Sequence, residues 1–142
     1  MRMRKHRILV IDDDANATRV AKLIIERSGC YEARELNDPM QALDVAQGFR
    51  PDLILLDVCM PGVEGSELAE KIHDAPFLAD VPIVFLTCIV TPSEVGKSGR
   101  VVIGHHEYMA KPVRPHQLIA CIRDTLERVN RLPQSGELVT LS

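Results

Sequence analysis

The chain has 142 residues, 46% hydrophobic and 26% charged, a length and balance that suit one globular domain and exclude a disordered or collagen-like polymer. Its 20 acidic and 17 basic residues give a net charge of −3, with no basic footprint beyond the first seven residues, so no nucleic-acid partner is expected. No apolar run approaches the roughly 20 residues of a bilayer span and no segment resembles a signal peptide, so no membrane partner and a cytoplasmic location are expected.

Residues 1–7 are locally basic and read as a frayed terminus. Ile8-Leu9-Val10-Ile11 then runs without alternation and stops at Asp12-Asp13-Asp14, the pattern of a parallel strand buried on both faces. Ala17, Val20, Ala21 and Ile24 share one helical stripe, which Gly29 ends. Tyr31 to Leu36 is a weaker strand. Asp38-Pro39 opens a helix with Ala42, Leu43 and Ala46 inward and Gly48 as its stop. Leu53-Ile54-Leu55-Leu56 is a second apolar run, ending at Asp57, and Glu64 to Asp74 a helix carrying Leu68 and Ile72. Ile83-Val84-Phe85-Leu86 ends at Thr87. From Pro92 to His106 a crossover helix is due, but Gly96 and Gly99 fall inside it. Each interior glycine weakens a helix by roughly 1 kcal/mol, so this helix is expected to be short, irregular or absent. Glu107 to Met109 is the fifth strand, and Arg114-Pro115 opens a last helix with Leu118, Ile122, Thr125 and Val129 on one stripe beside Cys121 and Leu126. The domain is expected over 1–132, with 133–142 a flexible tail. Such β-α alternation gives a parallel sheet with helices on both faces.

Without Trp, and with two Tyr and three Phe, the core must be aliphatic. Cys30, Cys59, Cys88 and Cys121 form no C-x-x-C pair, which argues against a zinc ribbon; they are expected to be free thiols, mostly small core residues. His105-His106 has no spaced partner and reads as solvent-facing loop.

Ligands of a parallel α/β sheet gather at the carboxyl ends of its strands. Asp12, Asp13, Asp57, Thr87 and Lys111 all fall there. Converging carboxylates resist ionisation unless a cation joins them, and a hard divalent ion with oxygen ligands, Mg2+ where phosphate oxygens take part, meets that need. Aspartate before a helix also caps it, a role one carboxylate fills. Asp14 is the expected cap, which leaves Asp12, Asp13 and Asp57 for chemistry.

Four segments, Ile8 to Asp14, Leu53 to Asp57 with Met60-Pro61-Gly62, Ile83 to Thr87, and Tyr108-Met109-Ala110-Lys111-Pro112, together resemble the receiver domain of bacterial two-component response regulators. The resemblance runs from Lys5 to Asn130. It implies a flavodoxin-like, doubly wound, five-stranded parallel sheet of order 2-1-3-4-5. It further implies that Asp57 accepts a phosphoryl group from a sensor histidine kinase or phosphotransfer protein, and that the chain signals to a downstream protein without being an enzyme, beyond weak self-dephosphorylation. By the same resemblance Asp13, Asp57 and the backbone carbonyl of Cys59 hold Mg2+, or Mn2+ in its place, with Asp12 acting mainly through water. Lys111 pairs with Asp57, Thr87 donates to the phosphoryl oxygens, the Lys111-Pro112 bond is cis, and Tyr108 is the switch aromatic or else an ordinary half-buried strand tyrosine.

The sequence departs from the family at Cys88, where a small residue such as alanine is usual, and in the glycine-rich stretch before Tyr108, which puts the usual dimer face in doubt. Cys59 and Ile89, at variable positions flanking the site, orient water poorly and imply slow self-dephosphorylation. A haloacid-dehalogenase-like phosphatase needs a second aspartate where Cys59 stands. A flavodoxin-like nucleotide binder needs Gly, Ser or Thr donors where Asp12 to Asp14 stand. A degenerate receiver serving only as a binding module is the remaining alternative. The short tail leaves no room for an output domain, so the output is expected to be a partner protein, a further relay step or a domain missing from this chain.

Overall fold

A computed structural model describes residues 5–60, 62, 64–88, 96–103 and 106–131. Of the frayed start expected at 1–7, residues 1–4 lie outside the described residues, as do the middle of the Met60-Pro61-Gly62 turn, Ile89, residues 92–95 and 104–105 of the glycine-rich stretch, and the 133–142 tail, whereas His6 and Arg7 belong to the first strand.

The elements follow in the order β1 (His6–Ile11), α1 (Ala15–Arg27), β2 (Tyr31–Leu36), α2 (Ala42–Phe49), β3 (Leu53–Asp57), α3 (Gly65–Asp74), β4 (Ile83–Thr87), β5 (Arg100–Ile103), β6 (His106–Ala110) and α4 (Pro115–Arg131). They build one six-stranded sheet ordered β2-β1-β3-β4-β6-β5. Its first five positions are parallel and carry the expected 2-1-3-4-5 order, with β6 as the fifth strand. The expectation of five strands is corrected by β5, which pairs antiparallel with β6 through Val101↔Tyr108 and Val102↔Glu107. Where a crossover helix was due, the described residues hold a short 3-10 turn, Gly96–Ser98, and then this strand. Gly96 and Gly99, at φ 62° and 73°, take a backbone conformation that an α-helix does not use, while Val101, Val102 and Ile103 are β-branched and favour extended chain.

The apolar runs are buried on both faces because each face carries two helices. Leu53 and Leu55 pack with Ala21 and Ile25 of α1 and Leu118 and Ile122 of α4. Ile54 and Leu56 pack with Ala42 and Ala46 of α2 and Leu68 and Ile72 of α3. All four β3 side chains are 0% exposed, each worth about 1.5–3 kcal/mol of burial.

Local signals held unevenly. Asp14 caps α1 by accepting from the Asn16 and Ala17 amides, and Gly29 follows the helix at φ 82°. Asp38 instead caps a 3-10 turn, Pro39–Gln41, that leads into α2. Gly48 lies inside α2, and the stop is Arg50, in the left-handed region at φ 55° with its amide on Ala46 O at 2.8 Å. Val20 and Leu43, expected inward, are exposed. Of the four free cysteines only Cys121 is buried, which corrects the expectation of core thiols: Cys30, Cys59 and Cys88 stand just beyond helix or strand ends, where the chain turns to solvent. Among the described residues no helix is long and apolar enough to cross a membrane.

Candidate functional site

Each expected polar residue sits where a strand runs out. Asp12, just past β1, is 1% exposed. Its amide donates to Leu36 O at 3.1 Å, one further rung of the β1–β2 ladder. Its carbonyl accepts from Asn37 Nδ2 at 2.8 Å, and the same nitrogen reaches Thr18 Oγ1 at 2.9 Å. Asn37 thus ties the exits of β1 and β2 to α1. It was not among the sequence-predicted residues, although its signal, a polar residue directly after a strand, is the one that marked Asp12. Asp57 and Thr87 close β3 and β4, each 3% exposed, and Lys111 follows β6.

One oxygen from each of Asp12, Asp13 and Asp57 lies within 4.8 Å of the others. Lys111 Nζ stands 2.8 Å from Asp12 Oδ2 and 3.2 Å from Asp57 Oδ1. Its nearer partner is therefore Asp12, not the expected Asp57. Asp12 Oδ1 also accepts the Asp14 amide at 3.0 Å, and Asp57 Oδ1 accepts the Cys59 amide at 3.2 Å. That turn holds Cys59 against the phosphoacceptor candidate.

The two buried carboxylates are unlike. Burial opposes ionisation of Asp12, but the Lys111 hydrogen bond, the Asp14 amide and the Lys111 charge outweigh it and hold its pKa below the ordinary value. For Asp57 burial prevails, and with the neighbouring Asp12 charge it raises the pKa against the pull of the Cys59 amide and Lys111. Lys111 loses something to burial and regains more from Asp12 and Asp57, so its pKa is raised and it stays an ammonium.

Three carboxylates facing one ammonium leave an excess of negative charge in a space a few ångströms wide. Their all-oxygen donor set, with Asp13 exposed, fits a hard divalent cation of the Mg2+ class.

The Lys111-Pro112 peptide is cis. The Lys111 amide donates to Thr87 O at 2.8 Å, and the preceding Ala110 amide to Gly99 O at 2.9 Å. Tyr108, half-buried on β6, stacks on Phe85 with ring centroids 5.2 Å apart. A cavity of about 480 Å³ adjoins the cluster, with Asp12, Cys88, Lys111 and Val113 in its wall.

Residues 8–123 match the family described as the response regulator receiver domain. The phosphate regulon transcriptional regulatory protein PhoB of Pseudomonas aeruginosa is 35% identical over 121 residues, 85% of this chain and 52% of its own length. The DNA-binding response regulator MtrA of Mycobacterium tuberculosis is 32% identical over 124 residues, 87% of this chain and 52% of its own length. Among solved structures, a response regulator from Chloroflexus aurantiacus superposes with TM-score 0.72 at 28% identity, covering 88% of this chain and 100% of that one. The chemotaxis protein CheY4 of Vibrio cholerae gives 0.70 at 28% identity over 89% and 99%. The chain spans about half the length of the curated relatives it matches. These relatives correct the expectation of no nucleic-acid partner: several are named as DNA-binding or transcriptional regulators, so the net charge of one receiver segment is no measure of what the pathway binds.

Proposed function

The chain belongs to the response regulator receiver family, and from that premise we propose that Asp57 accepts a phosphoryl group from a phosphohistidine on a sensor histidine kinase or phosphotransfer protein. The family is one of phosphoacceptor signalling domains rather than enzymes in the ordinary sense. The observation that carries the assignment is the convergence of Asp57 with Asp12, Asp13 and Lys111 at neighbouring strand exits.

An Asp57 carboxylate oxygen attacks the phosphorus in line as the histidine nitrogen leaves. Lys111 spans Asp12 and Asp57 before transfer and meets the phosphoryl oxygens after it. The Cys59 amide and the Thr87 hydroxyl donate from the exits of β3 and β4. Asp13, Asp57 and the Cys59 carbonyl would hold Mg2+ or Mn2+, with Asp12 kept to Lys111 and, through water, the ion. When bound, the ion neutralises charge on the transferred group. Tyr108 follows Thr87 as the switch, and the altered surface is read by a partner protein or by a DNA-binding output of the kind its relatives' names describe. The domain is proposed over 1–132, in the cytosol, and self-dephosphorylation is slow because Cys59 and Ile89 do not orient water.

Incubation with acetyl phosphate and Mg2+, followed by intact mass, tests this reading. One added phosphoryl group that disappears in Asp57→Asn supports it. No gain from acetyl phosphate or from a cognate kinase moves the chain to the degenerate, binding-only class, and a phosphorylated lifetime of seconds overturns the slow hydrolysis.

A further inference from the structure

Asn37 stands between β2 and the 3-10 turn, yet its side chain does not serve that turn. An asparagine in a turn bonds backbone groups within about four residues of itself. Here Asp38 fills that local role, accepting the Met40 amide at 3.0 Å. The Asn37 amide instead reaches 25 and 19 positions back along the chain, to Asp12 O at 2.8 Å and Thr18 Oγ1 at 2.9 Å. A carbonyl can only accept, and the Thr18 hydroxyl gives its own proton to Ala15 O at 3.1 Å. Both hydrogens of the Asn37 NH2 group are therefore spent on these two acceptors.

The two bonds fall on either side of Asp13. Asp12 O lies just before it, and Thr18, 0% exposed, lies after it in the first turn of α1. One amide from the neighbouring strand thus pins both ends of residues 12–18. Asp12 is held further by Leu36 O on its amide and by the Asp14 amide on its Oδ1. Asp13 brings an oxygen to the three-carboxylate cluster but is itself exposed, so the course of its main chain, rather than packing around it, decides where that oxygen sits. Like charges brought this close repel until a cation joins them. A segment free to give way would relieve the repulsion by carrying Asp13 outward.

We propose that Asn37 is a positioning residue for the cation: by fastening Asp12 O and Thr18 Oγ1 it keeps the Asp13 carboxylate beside Asp12 and Asp57, and so sets the affinity of the cluster for a divalent ion. Groups that orient metal ligands from outside the coordination shell typically carry roughly tenfold or more in affinity. The proposal rests on the reading of the cluster as the Mg2+ or Mn2+ site.

Mn2+ binding by the 142-residue chain, followed through the electron paramagnetic resonance signal of the free ion, tests it without reference to activity. Asn37→Ala is expected to weaken binding on the order of tenfold. Thr18→Val, which keeps the shape and removes the accepting oxygen, should weaken it severalfold, and Thr18→Ser, which keeps the hydroxyl and loses a methyl, should stay within about twofold of the parent. A role in packing alone gives the opposite order for the Thr18 pair, which decides the matter by itself if Asn37→Ala does not fold. Phosphoryl uptake from acetyl phosphate by Asn37→Ala should be slow at limiting Mg2+ and recover at saturating Mg2+. Unchanged Mn2+ affinity in Asn37→Ala, a loss in Thr18→Ser as large as in Thr18→Val, or uptake that stays low at saturating Mg2+ overturns the proposal. A parent chain that binds no Mn2+ overturns the cation reading and the proposal with it, whereas one that binds Mn2+ but takes up no phosphoryl group overturns the phosphoacceptor reading alone.

Discussion

Lys111 stands closer to Asp12, at 2.8 Å, than to Asp57, at 3.2 Å, so one ammonium holds together the exits of β1 and β3. Lys111→Met leaves Asp12, Asp13 and Asp57 facing one another without a cation. The expected loss is on the order of 2 kcal/mol, below the ~3–5 kcal/mol of a fully buried pair because the lysine side chain is 26% exposed. Thermal melts in chelator should show the deficit, and Mg2+ should shrink it. An unchanged melting temperature in chelator counts against the cluster as described.

Asp57→Asn should act in the opposite direction. Burial and then the Asp12 charge raise the Asp57 pKa, so the folded chain binds this proton more tightly than the unfolded one. The resulting penalty is absent below the ordinary 3.8 and fully present once pH exceeds the folded value. At neutral pH without metal the variant should melt a few degrees higher than the parent, with the advantage shrinking as pH falls toward 3.8. It should also gain less from Mg2+. A lower melting point in chelator at neutral pH would refute the sign.

Arg100 of β5 holds Asp124 of α4 at 2.6 Å and lies 3.6 Å from Glu107. Its hydrogen bond lowers the Asp124 pKa, so this stabilisation is present above the ordinary 3.8 and lost as pH falls through the folded value. Arg100→Ala should cost about 0.5–1 kcal/mol at pH 7, the scale of an exposed pair, since Asp124 is 43% exposed. In urea titrations the difference between variant and parent should narrow at acid pH; a gap that is constant with pH contradicts the assignment.

Gly99 adopts φ 73°, and a Cβ there would press on the Gln117 side chain. Gly99→Ala should cost roughly 1–2 kcal/mol, the penalty for an L-residue in the left-handed region. Because Gln117 is the far end of a flexible chain, the backbone sets the cost. Hydrogen exchange should quicken at Tyr108 and Ala110, which face β5, while β1 and β3 amides are unaffected.

Much of this was legible in the sequence because the strands are buried on both faces: an uninterrupted aliphatic run ending in aspartate or threonine marks both a parallel strand and its functional exit. Asp12, Asp57 and Thr87 are legible that way, whereas Lys111 follows the weaker strand Glu107 to Met109, which carries no aliphatic run and is placed by its position between helices. Asn37 was passed over because β2 alternates in burial and gives no such contrast at its end. The extra strand was half legible: glycines at 96 and 99 argued against a helix, but four residues at the sheet margin are too few to announce a strand by period. Gly48 misled because glycine in a helix signals a stop only when the next residues cannot continue it, and here Arg50 takes the left-handed turn.

With β5 laid along it, β6 is an interior strand, its alternate backbone groups engaged by β4 on one side and β5 on the other. The main chain at the root of Lys111 is therefore clamped from both flanks, Thr87 O holding its own amide and Gly99 O the one before. What freedom the ammonium has to pass from Asp12 toward the phosphoryl group proposed for Asp57 resides in the rotations of its own side chain, so under that proposal the charge changes partners while the sheet beneath it stays still.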